Sequence, residues 1–558
     1  MYILGVNATM NDSAVCLIKD GKVFSAIEEE RLTRYKFEKA LPKRAITYCL
    51  KQAGITLKDV DYVAYTWKPW LYLRSELCHR LSRLPVRTME SLYGLVQMDS
   101  IFTSHLNDIR NFRKSTGKDP VAVNHHLCHM ASSFLVSPFE RAAILSVDNR
   151  GEKATTVMAL GEKNNIKVLK EIHIPHSLGK VYSGLTYHLG FRPDKDEYKV
   201  MGLASYGKPV YYDLFKKIIR LEADGGYKID GSFCNYDIEG RPTAKLATLI
   251  GPERKYGEPV TQHHMDIAAS LQKVHEEAIL HLAGHLKKIT GEENLCLSGG
   301  VCYNSVANGR IERESGFRNF YTPPYVGDSG TAFGAAFHVY NTLLGKERVE
   351  IVNRAYFGAS YSDDEIKNAL DMCKVKYEKQ ADITVTTARL LSEGNIMGWF
   401  QGAMEFGPRA LGCRSIIADP RRAEMKDLVN KYVKRREEFR PFAPSVLEEE
   451  MPNYFDTHVP SPFMTSVCLV HPDQRAKIPA VTHFDGTARI QTVSRKTNPL
   501  YWEMINKFGK ITGVPIVLNT SFNVRDEPIV CSPLDAVGCF FSSGMDYLAI
   551  GSFLVSKK

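Results

Sequence analysis

Two histidines of the chain have the spacing of a chelating pair. In the run His125-His126-Leu127-Cys128-His129, His125 and His129 are four residues apart. On a helix, side chains at this spacing project from one face, as those that chelate a transition metal do. His126 and His129, three apart, are the competing pair. Because the run has no glutamate at its second position, the zinc-protease motif is excluded.

Two aspartates at loop positions complete a candidate metal site. Asp148 ends an apolar strand, and Asp328 lies in the turn Gly327-Asp328-Ser329-Gly330. Two imidazoles together with two carboxylates suit Fe(II), Mn(II) or Zn(II). Histidine pairs are more often structural than ligating, so a buried structural pair is the alternative.

Two glycine-containing turns have the pattern of a ligand-binding backbone. Gly299-Gly300-Val301, with Asn304 after it, follows the apolar strand 295–297, and Gly327 to Gly334 is a second turn of the same kind. Glycines there let a backbone approach a ligand and open a helix whose N-terminus favours anions. The alternative is an ordinary strand-to-helix turn.

Three arginines in the last third of the chain lie among glycines and apolar residues. Arg409 stands in Glu405-Phe406-Gly407-Pro408-Arg409-Ala410-Leu411-Gly412, Arg440 precedes Pro441-Phe442, and Arg489 ends Asp485-Gly486-Thr487-Ala488-Arg489. A guanidinium in such surroundings pairs with a buried carboxylate or binds an anion such as phosphate, whose oxygens it matches in pairs. We favour anion binding for all three.

Other polar residues of the same region accompany these arginines. Asn519 and Ser521 follow the apolar strand 514–518 and offer neutral hydrogen-bond donors to an anion. Lys434 begins a charged run, and the residues after it, Arg435 to Glu438, are interpreted as a solvated face.

Composition narrows the class of protein. The 558 residues, 44% hydrophobic and 24% charged, suffice for about two to four domains and argue against a disordered chain. The 72 lysines and arginines exceed the 63 aspartates and glutamates by nine, which suits anionic small molecules and does not indicate a nucleic-acid partner. The twelve cysteines form no C-x-x-C pair. With no signal-peptide pattern and no membrane-length apolar run, we expect a cytoplasmic protein.

The hydrophobic pattern of the first segment returns later in the chain. Strands are predicted at 2–6, 14–18 and 23–27, with Asp20-Gly21 as a hairpin turn, and again at 142–147, 155–160 and 166–172. A supersecondary unit repeated about 140 residues later predicts an internal duplication. The pattern resembles the actin, sugar-kinase and heat-shock ATPase superfamily, which binds nucleotide phosphates between the two copies. Two similar hairpins in an unrelated α/β protein are the alternative.

A change of composition predicts the domain boundary. An amphipathic helix is predicted over 266–289, and the polar connector Gly345-Lys346-Glu347-Arg348 follows later. Helices at 363–373 and 381–393 then lead into an apolar strand at 396–400. We therefore predict one domain over residues 1–350 and a second over 351–558.

Six motifs in order resemble the NodU/CmcH family of O-carbamoyltransferases, which act on nodulation factors and antibiotics. The resemblance covers nearly the whole chain and implies an α/β fold class. It implies an N-terminal duplicated actin/sugar-kinase-like domain, similar to tRNA threonylcarbamoyl transferases, and a C-terminal YrdC-like α/β domain. The motifs are Glu28-Glu29-Glu30-Arg31-Leu32-Thr33-Arg34, His125 to His129, Asp196-Glu197-Tyr198-Lys199-Val200-Met201-Gly202-Leu203-Ala204, Gly299-Gly300-Val301, Glu405 to Gly412 and Asn519 to Asn523.

The family resemblance implies two half-reactions. In the C-terminal domain, carbamoyl phosphate and ATP, with Mg(II), pass through carbamate to carbamoyl adenylate, releasing phosphate and pyrophosphate. Such chemistry needs cations and neutral donors more than a nucleophile. By similarity the substrate phosphates are held by Arg409, Lys434, Arg440, Arg489, Asn519 and Ser521.

In the N-terminal domain, the resemblance implies transfer of the carbamoyl group to an acceptor hydroxyl. Lys36, Gly300 and Asn304 match positions that hold the adenylate. AMP is a good leaving group, so the mixed anhydride is a good electrophile. The residues that match the family's metal ligands, with iron the usual metal, are His125, His129, Asp148 and Asp328.

One position departs from the family pattern. In the loop after the first strand the family often has His-Asp, where the histidine helps the acceptor hydroxyl lose its proton, whereas this chain has Asn11-Asp12. Asparagine cannot act as a base near pH 7. Asn11 is therefore an acceptor-orienting candidate, and Asp12 is the candidate base.

We predict an ATP-dependent O-carbamoyltransferase that forms a carbamate ester on a natural product, such as an antibiotic, or on a sugar. A tRNA threonylcarbamoyl-type transferase is the first alternative, but the chain has no basic stripe interleaved with aromatic residues. A non-catalytic actin-like nucleotide-binding protein is the second, and it would have no use for the arginine-rich anion site.

The sequence leaves the small hydroxylated acceptor and the assembly state, with a homodimer among the options, open. The segment Trp67 to Arg87 offers Trp67, Trp70 and Tyr72 for stacking on an acceptor ring. The alternative, a helix packed on its neighbour, is favoured for these aromatic residues.

Overall fold

The computed structural model of the chain describes residues 1–8, 11–81, 88–236 and 240–557, with the backbone alone for residues 88–97 and 99. The chain forms two compact units. The N-terminal unit comprises Met1–Glu29 and Phe37–Ile351, and the C-terminal unit comprises Glu30–Lys36 and Val352–Lys558. Among the described residues, no helix combines the length and the apolar character that crossing a membrane requires.

The first sheet of the N-terminal unit has the strand order β3-β2-β1-β4-β5. Its first three strands form an antiparallel meander, and β4 and β5 then add in parallel. The strands are β1 (Tyr2–Asn7), β2 (Ala14–Lys19), β3 (Lys22–Glu28), β4 (Tyr62–Tyr65) and β5 (Val121–Ala122), and the helices that accompany them are α1 (Glu29–Thr33), α2 (Lys43–Ala53), α3 (Pro69–Leu81) and α4 (Thr88–Thr116).

The remaining part of the N-terminal unit contains a second five-stranded sheet. Its helices are α5 (His125–Phe134), α6 (Leu178–His188), α7 (Glu197–Ala204), α8 (Tyr212–Ile218), α9 (Ala244–Ile250), α10 (Gln262–Thr290), α11 (Ser305–Glu314) and α12 (Thr331–Phe337). The strands of this part of the chain, of which β6, β7, β8, β13 and β14 form the sheet, are β6 (Arg141–Val147), β7 (Ala154–Glu162), β8 (Asn165–His173), β9 (Ile219–Leu221), β10 (Tyr227–Ile229), β11 (Cys234–Asn235), β12 (Arg241–Pro242), β13 (Asn294–Ser298) and β14 (Asn319–Tyr321).

The second sheet repeats the topology of the first. Its order is β14-β13-β6-β7-β8, in which β6, β7 and β8 form an antiparallel meander and β13 and β14 add in parallel on the side of β6. Two sheets with the same order and the same strand directions are the product of one repeated supersecondary unit. The predicted duplication is confirmed, and the alternative of two unrelated hairpins is wrong.

Glycines bring α12 against its neighbours at very short range. A Cβ on Gly334 would lie 1.7 Å from the carbonyl oxygen of Cys128 in α5, and one on Gly5 of β1 would lie 1.9 Å from that of Ala332. Only glycine permits such an approach of two backbones. The packing fixes α12, and the turn that precedes it, against α5.

The long helix α10 shows how the local sequence sets an element's ends. It begins after Thr261, which forms a capping box with His264, and ends at Gly291 in the left-handed conformation with φ +66°. Its buried residues include Ile267, Leu271 and Leu282. The predicted helix over 266–289 is therefore confirmed, with about one additional turn at its start.

The C-terminal unit is built on a mixed eight-stranded sheet of order β15-β25-β24-β16-β17-β23-β18-β22, with a small sheet β19-β20-β21. The strands are β15 (Tyr377–Lys379), β16 (Met397–Phe400), β17 (Arg414–Ala418), β18 (Ala443–Leu447), β19 (Phe455–Asp456), β20 (Cys468–Val470), β21 (Thr487–Ala488), β22 (Gln491–Val493), β23 (Ile516–Ser521), β24 (Tyr547–Ile550) and β25 (Phe553–Ser556). The helices are α13 (Asp363–Met372), α14 (Ile383–Ser392), α15 (Met425–Leu428), α16 (Pro499–Thr512) and α17 (Pro533–Ser542).

Buried apolar residues cover both faces of the large sheet. Ile416, Leu518 and Phe540 belong to one cluster, and Trp399 and Val517 belong to another. Because side chains alternate between the faces of a strand, Val517 and Leu518 contribute to different cores. The predicted α/β class of both parts of the chain is confirmed.

Candidate active site

Four side chains of the N-terminal unit converge on one point. His125, His129, Asp148 and Asp328 each offer one ligand atom, and these atoms all lie within 4.8 Å of one another. Oδ2 of Asp148 is 2.7 Å from Nε2 of His129 and 3.3 Å from Nε2 of His125. Oδ1 of Asp328 is 3.5 and 3.6 Å from the same two nitrogens. The structure thus brings together the four residues predicted as metal ligands.

Helix α5 carries the two histidines on one face. Their Nε2 atoms are 3.1 Å apart, as the four-residue spacing predicts. The helix begins after Asn124, whose side chain accepts a hydrogen bond from the backbone nitrogen of Leu127. The buried carboxylate of Glu152 accepts from the backbone nitrogen of His125 and from the Asn124 amide. The first turn of α5 is therefore held on both sides.

The two carboxylates of this cluster draw positive charge onto the imidazoles. Burial alone lowers the pKa of His125, but the hydrogen bonds and charges of Asp148 and Asp328 outweigh it and raise the pKa to about 10. Burial and the neighbouring His125 likewise lower the pKa of His129, and the same two carboxylates raise it overall. Burial raises the pKa of Asp148, yet the two imidazoles hold it well below its usual range. Two carboxylates in a buried place need positive charge beside them.

The donor set fits a divalent metal ion. Around a metal with ligand bonds of about 2.1 Å, neighbouring ligand atoms lie about 3.0–3.4 Å apart, close to the observed separations. Within the described part of the chain, Nδ1 of His125 and Nδ1 of His129 have no hydrogen-bond partner although both are buried. The polar contacts of both rings are therefore made through Nε2, which faces the cluster.

His126 does not belong to the cluster. Its Nε2 lies 3.0 Å from the carbonyl oxygen of Ala154 and its Nδ1 lies 2.9 Å from Oγ of Ser146. A carbonyl only accepts, so Nε2 donates and Nδ1 accepts from the serine hydroxyl. Burial, with the charges of His125 and His129, lowers the pKa of His126 to about 3. The structure decides between the two predicted pairs in favour of His125 and His129.

The glycine turn after β13 lies beside Asp148. Gly299 has φ +91°, and a Cβ there would lie 2.2 Å from the carbonyl oxygen of Val147. A Cβ on Gly300 would lie 3.1 Å from Oδ1 of Asp148. The sequence predicted that an α-helix opens at these glycines. Instead a short 3-10 turn comes first, and α11 begins at Ser305.

Asn304 ends that 3-10 turn and caps α11. Its Oδ1 accepts from the backbone nitrogen of Ala307 at 3.1 Å and from Nε2 of Gln272 at 3.0 Å, and its Nδ2 donates to Oε1 of Gln272 at 3.0 Å. Tyr182 in turn donates to Oε1 of Gln272. The Asn304 amide is thus fixed in one orientation by a neighbouring helix.

The loop of the candidate base follows β1. Asn7 donates from Nδ2 to the carbonyl oxygens of Asn11 and Asp12 at 3.0 and 3.1 Å, and Asp12 has φ +54°. Neither residue is one of the four that converge. Of the predicted acceptor segment, residues 82–87 lie outside the described residues.

The aromatic residues proposed to stack on an acceptor have different environments. Trp67 and Tyr72 are buried and their rings contact each other, with centroids 5.7 Å apart. Trp70 is 67% exposed and contacts Phe102. Trp67 also meets the His125 ring edge-on at 5.1 Å. The packed arrangement that the sequence favoured therefore holds for Trp67 and Tyr72.

In the C-terminal unit, Lys434 is a buried cation. Its Nζ donates to the carbonyl oxygens of Ser521 and Asn523, to Oγ of Ser521 and to Oδ1 of Asn523. Burial, together with Arg436, Arg440 and other cations, holds the pKa of Lys434 well below its usual range. Among the described carboxylates none forms an ion pair with this ammonium group. Such a cation is suited to an anionic ligand.

Arg489 shows the same imbalance. Its Nε is buried and has no hydrogen-bond partner among the described residues. Burial lowers the pKa of its guanidinium well below the usual range, and the charges of Arg409, Arg436 and Arg440 lower it further. These arginines, Lys434 and the cations that act on it form a group that we call the cationic cluster. Its six residues are Lys36, Arg409, Lys434, Arg436, Arg440 and Arg489.

Lys36 lies in the segment Glu30–Lys36, which belongs to the C-terminal unit. The resemblance grouped it with Gly300 and Asn304 of the N-terminal unit. Burial lowers the pKa of Lys36, Glu30 raises it, and Arg31 and Arg440 lower it. By its unit and by its charged neighbours, Lys36 is a member of the cationic cluster.

Asn519 ties the arginine-bearing loop to the sheet. Its Nδ2 lies 3.1 Å from the carbonyl oxygen of Ala410, the residue after Arg409, and 2.8 Å from Oε1 of Gln491. Its buried Oδ1 has no partner among the described residues. Ser521, two residues later, donates to Oδ1 of Asn523 at 2.7 Å. Of the two predicted neutral donors, Asn519 thus contacts the residue next to Arg409, and Ser521 contacts Lys434.

The family models for carbamoyltransferases match most of the chain. The model of the carbamoyltransferase N-terminus matches residues 2–337, and that of the C-terminus matches residues 388–557. The chain belongs to the carbamoyltransferase family. It is a carbamoyl-transferring enzyme, so the reading as a non-catalytic nucleotide-binding protein is wrong.

Relatives of this carbamoyltransferase include rhizobial nodulation proteins. Nodulation protein NolNO of Sinorhizobium fredii is 40% identical over 99% of this chain and 80% of its own length. Nodulation protein NolO of Bradyrhizobium diazoefficiens is 40% identical over 78% of this chain and 79% of its own. Nodulation protein U of Rhizobium tropici is 27% identical over 94% and 91%. The predicted family is confirmed.

Solved structures resemble the carbamoyltransferase more distantly. HypF of T. kodakarensis is 17% identical, covering 62% of this chain and 48% of that chain with a TM-score of 0.32. The ROK hexokinase of Thermus thermophilus is 13% identical, covering 61% and 98% with a TM-score of 0.29. The repeated sheet topology, rather than these likenesses, identifies the duplicated fold.

The roles of several residues of the two sites could not be predicted from the sequence. Arg436, interpreted as part of a solvated face, is half-buried and belongs to the cationic cluster. Oε1 of the buried Glu405 accepts from the backbone nitrogens of Leu411 and Cys413 and so shapes the loop of Arg409. Glu152 gave no signal, because its partners at Lys68 and His125 are far away in the chain.

Proposed function

We propose that this carbamoyltransferase is ATP-dependent and transfers the carbamoyl group to a hydroxyl of a natural product or sugar. One observation carries the proposal: the same chain has four converging residues that could hold a metal ion in one unit and a cluster of six lysines and arginines in the other. The first suits activation of a carbonyl or phosphate, and the second suits substrates that carry several phosphates.

The first half-reaction is assigned to the cationic cluster. Water cleaves carbamoyl phosphate to carbamate and phosphate. A carbamate oxygen then attacks the α-phosphorus of ATP, with Mg(II) on its phosphates, and pyrophosphate leaves. In this reaction Arg409, Arg440 and Arg489 neutralise the phosphate charges, while Lys434 and Ser521 bind phosphate oxygens and Asn519 holds the loop of Arg409.

The second half-reaction is assigned to the N-terminal unit. The acceptor hydroxyl oxygen attacks the carbamoyl carbon, the bond from that carbon to the AMP phosphate oxygen breaks, and AMP leaves with the electron pair. Gly300 and Asn304 hold the adenylate. Asp12 accepts the hydroxyl proton, and Asn11 orients the acceptor.

A divalent cation, Fe(II) in this proposal, would be held by His125, His129, Asp148 and Asp328. When bound, it withdraws electron density from a carbonyl or phosphate oxygen of the adenylate. Glu152 and Asn124 keep α5 in place, so both imidazoles stay directed at that position.

The first experiment measures pyrophosphate release by the purified protein given carbamoyl phosphate and ATP. We expect release without any tRNA. A requirement for threonine and bicarbonate would instead assign the protein to the threonylcarbamoyl-type transferases. Nucleotide binding without pyrophosphate release in either assay would overturn the proposed first half-reaction.

The second experiment identifies the acceptor. Candidate hydroxylated metabolites are incubated with the protein, carbamoyl phosphate and ATP, and mass spectrometry detects products that gain one carbamoyl group.

Pyrophosphate release and metal content are compared in Arg409→Ala, Arg440→Ala and an exposed control, Arg389→Ala. The first two variants should abolish pyrophosphate release and leave the metal content intact, whereas the control should retain both.

A further inference from the structure

Two arginines of the N-terminal unit share one buried carboxylate. Arg80 of α3 donates from Nη2 to Oε2 of Glu76 at 2.9 Å, and Arg150 donates from Nη2 to Oε1 of the same residue at 2.5 Å. Glu76 is 1% exposed and Arg80 is 9% exposed. Two guanidinium charges therefore face one carboxylate charge in a place with little access to water.

The hydrogen-bonding capacity of this group is not used up. Nε and Nη1 of Arg80 are buried and have no hydrogen-bond partner within the described part of the chain, and the same holds for the hydroxyl of Tyr236, an electrostatic neighbour of Arg150. Arg150 lies over the ring of Tyr72, 5.0 Å from its centroid, a contact that holds a guanidinium without occupying its N–H groups. Buried donors without acceptors are costly, so an acceptor of matching charge would stabilise them.

The group adjoins the metal-ligand cluster. Arg150 follows Asp148 by two residues, and the ring of Tyr72 beneath it contacts Trp67 at 5.7 Å. Trp67 in turn meets the ring of His125 at 5.1 Å. Two ring contacts thus connect the arginine pair with a proposed metal ligand.

We propose that Arg80 and Arg150 form a binding site for an oxyanion, and that this oxyanion is an acidic group of the carbamoyl acceptor. Nη1 of Arg80, whose N–H groups point away from Glu76, donates to one oxygen of a carboxylate, phosphate or sulfate group, and Arg150 donates to another. Glu76 positions both guanidiniums, and the Tyr236 hydroxyl donates a further hydrogen bond. The acceptor hydroxyl is then brought to the neighbouring metal-ligand cluster.

The acceptor is favoured over the nucleotide by elimination, which rests on the proposed function. In that proposal, carbamoyl phosphate and ATP belong to the cationic cluster, and the adenylate belongs to the turn at Gly300 and to Asn304. Gly300 approaches the cluster at Asp148, whereas Trp67 contacts it at His125. Of the proposed substrates, the acceptor is the one whose assigned residues, Asn11 and Asp12, concern only its reacting hydroxyl, so the rest of the acceptor has no assigned binding group.

The test uses crystals of the full-length protein soaked in sodium selenate, whose selenium is located by anomalous scattering. We expect a selenium peak whose selenate oxygens lie within hydrogen-bond distance of Nη1 of Arg80. The peak should be lost in Arg80→Gln and retained in Arg74→Gln, which changes an exposed arginine of the same helix. Selenate at the cationic cluster serves as the internal control for the soak. A peak there and none at Arg80 in the wild-type protein would overturn the site.

A second soak distinguishes the source of the anion. Crystals with selenate at Arg80 receive saturating AMP, and retention of the peak supports an acceptor site. Displacement by AMP would assign the site to the nucleotide phosphate and would overturn the acceptor assignment. Pyrophosphate release from carbamoyl phosphate and ATP is measured on the wild-type protein separately, so failure of the proposed function and failure of this inference give different results.

Discussion

The carboxylate of Glu152 accepts hydrogen bonds from the backbone nitrogen of His125, 3.1 Å from each of its oxygens. The same carboxylate accepts from Nδ2 of Asn124 at 2.6 Å and from the backbone nitrogen of Lys68 at 2.9 Å. A buried carboxylate is well placed at a helix N-terminus, where unpaired N–H groups and the helix dipole favour negative charge. Glu152 is thus a positioning residue for a proposed metal ligand.

Replacing this carboxylate should weaken metal binding without removing a ligand. In Glu152→Gln, an NH₂ group replaces an oxygen that now accepts from N–H donors, so the first turn of α5 loses part of its anchor. We expect metal affinity to fall about 10–100-fold, the effect typical of partners outside the ligand shell. Competition with a chelator of known affinity measures it. Glu171→Gln, at an ion pair with Lys153, is the control, and unchanged affinity in a folded Glu152→Gln would refute the positioning role.

Removing a ligand should separate the two half-reactions. In His129→Ala, the nitrogen 2.7 Å from Oδ2 of Asp148 is lost, so we expect bound metal and carbamoyl transfer to be abolished while pyrophosphate release persists. Metal analysis and the pyrophosphate assay on one preparation check this. His126→Gln, outside the cluster, should retain the metal. Loss of pyrophosphate release together with metal in His129→Ala would show that the cationic cluster does not work independently.

The sequence predicted those features of the fold that depend on local periodicity. Alternating apolar residues predicted both meanders, and the four-residue spacing predicted that His125 and His129 share a face of α5. Apolar patterns report which side of an element is buried, and buried sides largely decide the topology. The repeated unit was therefore visible before its tertiary contacts were known.

Contacts between distant residues could not be predicted in this way. Arg436 lies in a charged run that is typical of a solvated face, and only tertiary packing brings it to Arg489 and Lys434. Glu76 pairs with Arg150 across 74 positions, a distance at which no periodicity operates. Unpaired buried charge is a property of packing, so it appears only once the fold is known.

The cationic cluster should cost the free protein stability. The charges of Arg409, Arg436 and Arg440 act on Arg489, and its buried Nε has no partner among the described residues. Arg489→Met removes the repulsion and keeps much of the side-chain volume. We expect the free energy of unfolding without substrate to rise by about 1–3 kcal/mol, and pyrophosphate release to be lost. Chemical denaturation and the pyrophosphate assay measure the two effects.

Phosphate provides the matching control for this variant. Inorganic phosphate should stabilise the wild-type protein against denaturant and should stabilise Arg489→Met much less, because a ligand stabilises only the state that binds it. Arg389→Met, at an exposed ion pair with Glu393, should behave as wild type. A variant that is less stable than wild type without phosphate would show that Arg489 is a structural residue.

A buried neutral histidine should make stability depend on pH. His275 of α10 has no partner for either ring nitrogen among the described residues and packs edge-on against Tyr182 at 5.1 Å. Burial lowers its pKa from 6.5 to about 4. Below pH 6.5 His275 binds a proton in the unfolded chain but not in the folded chain. The stability that the neutral ring contributes is therefore fully present above pH 6.5 and declines towards pH 4.

The loss over that interval amounts to about 3 kcal/mol, and His275→Leu should remove it while leaving other pH effects in place. Denaturation at pH 7.5, 6 and 5 gives the free energy of unfolding at each pH, and the variant should show a shallower decline than wild type. His173→Leu, in which an exposed ring is replaced, should keep the wild-type slope. Equal slopes of the free energy of unfolding against pH in wild type and His275→Leu would contradict this prediction. They would mean that the ring takes up its proton in the folded protein, at the junction of α10 and α6.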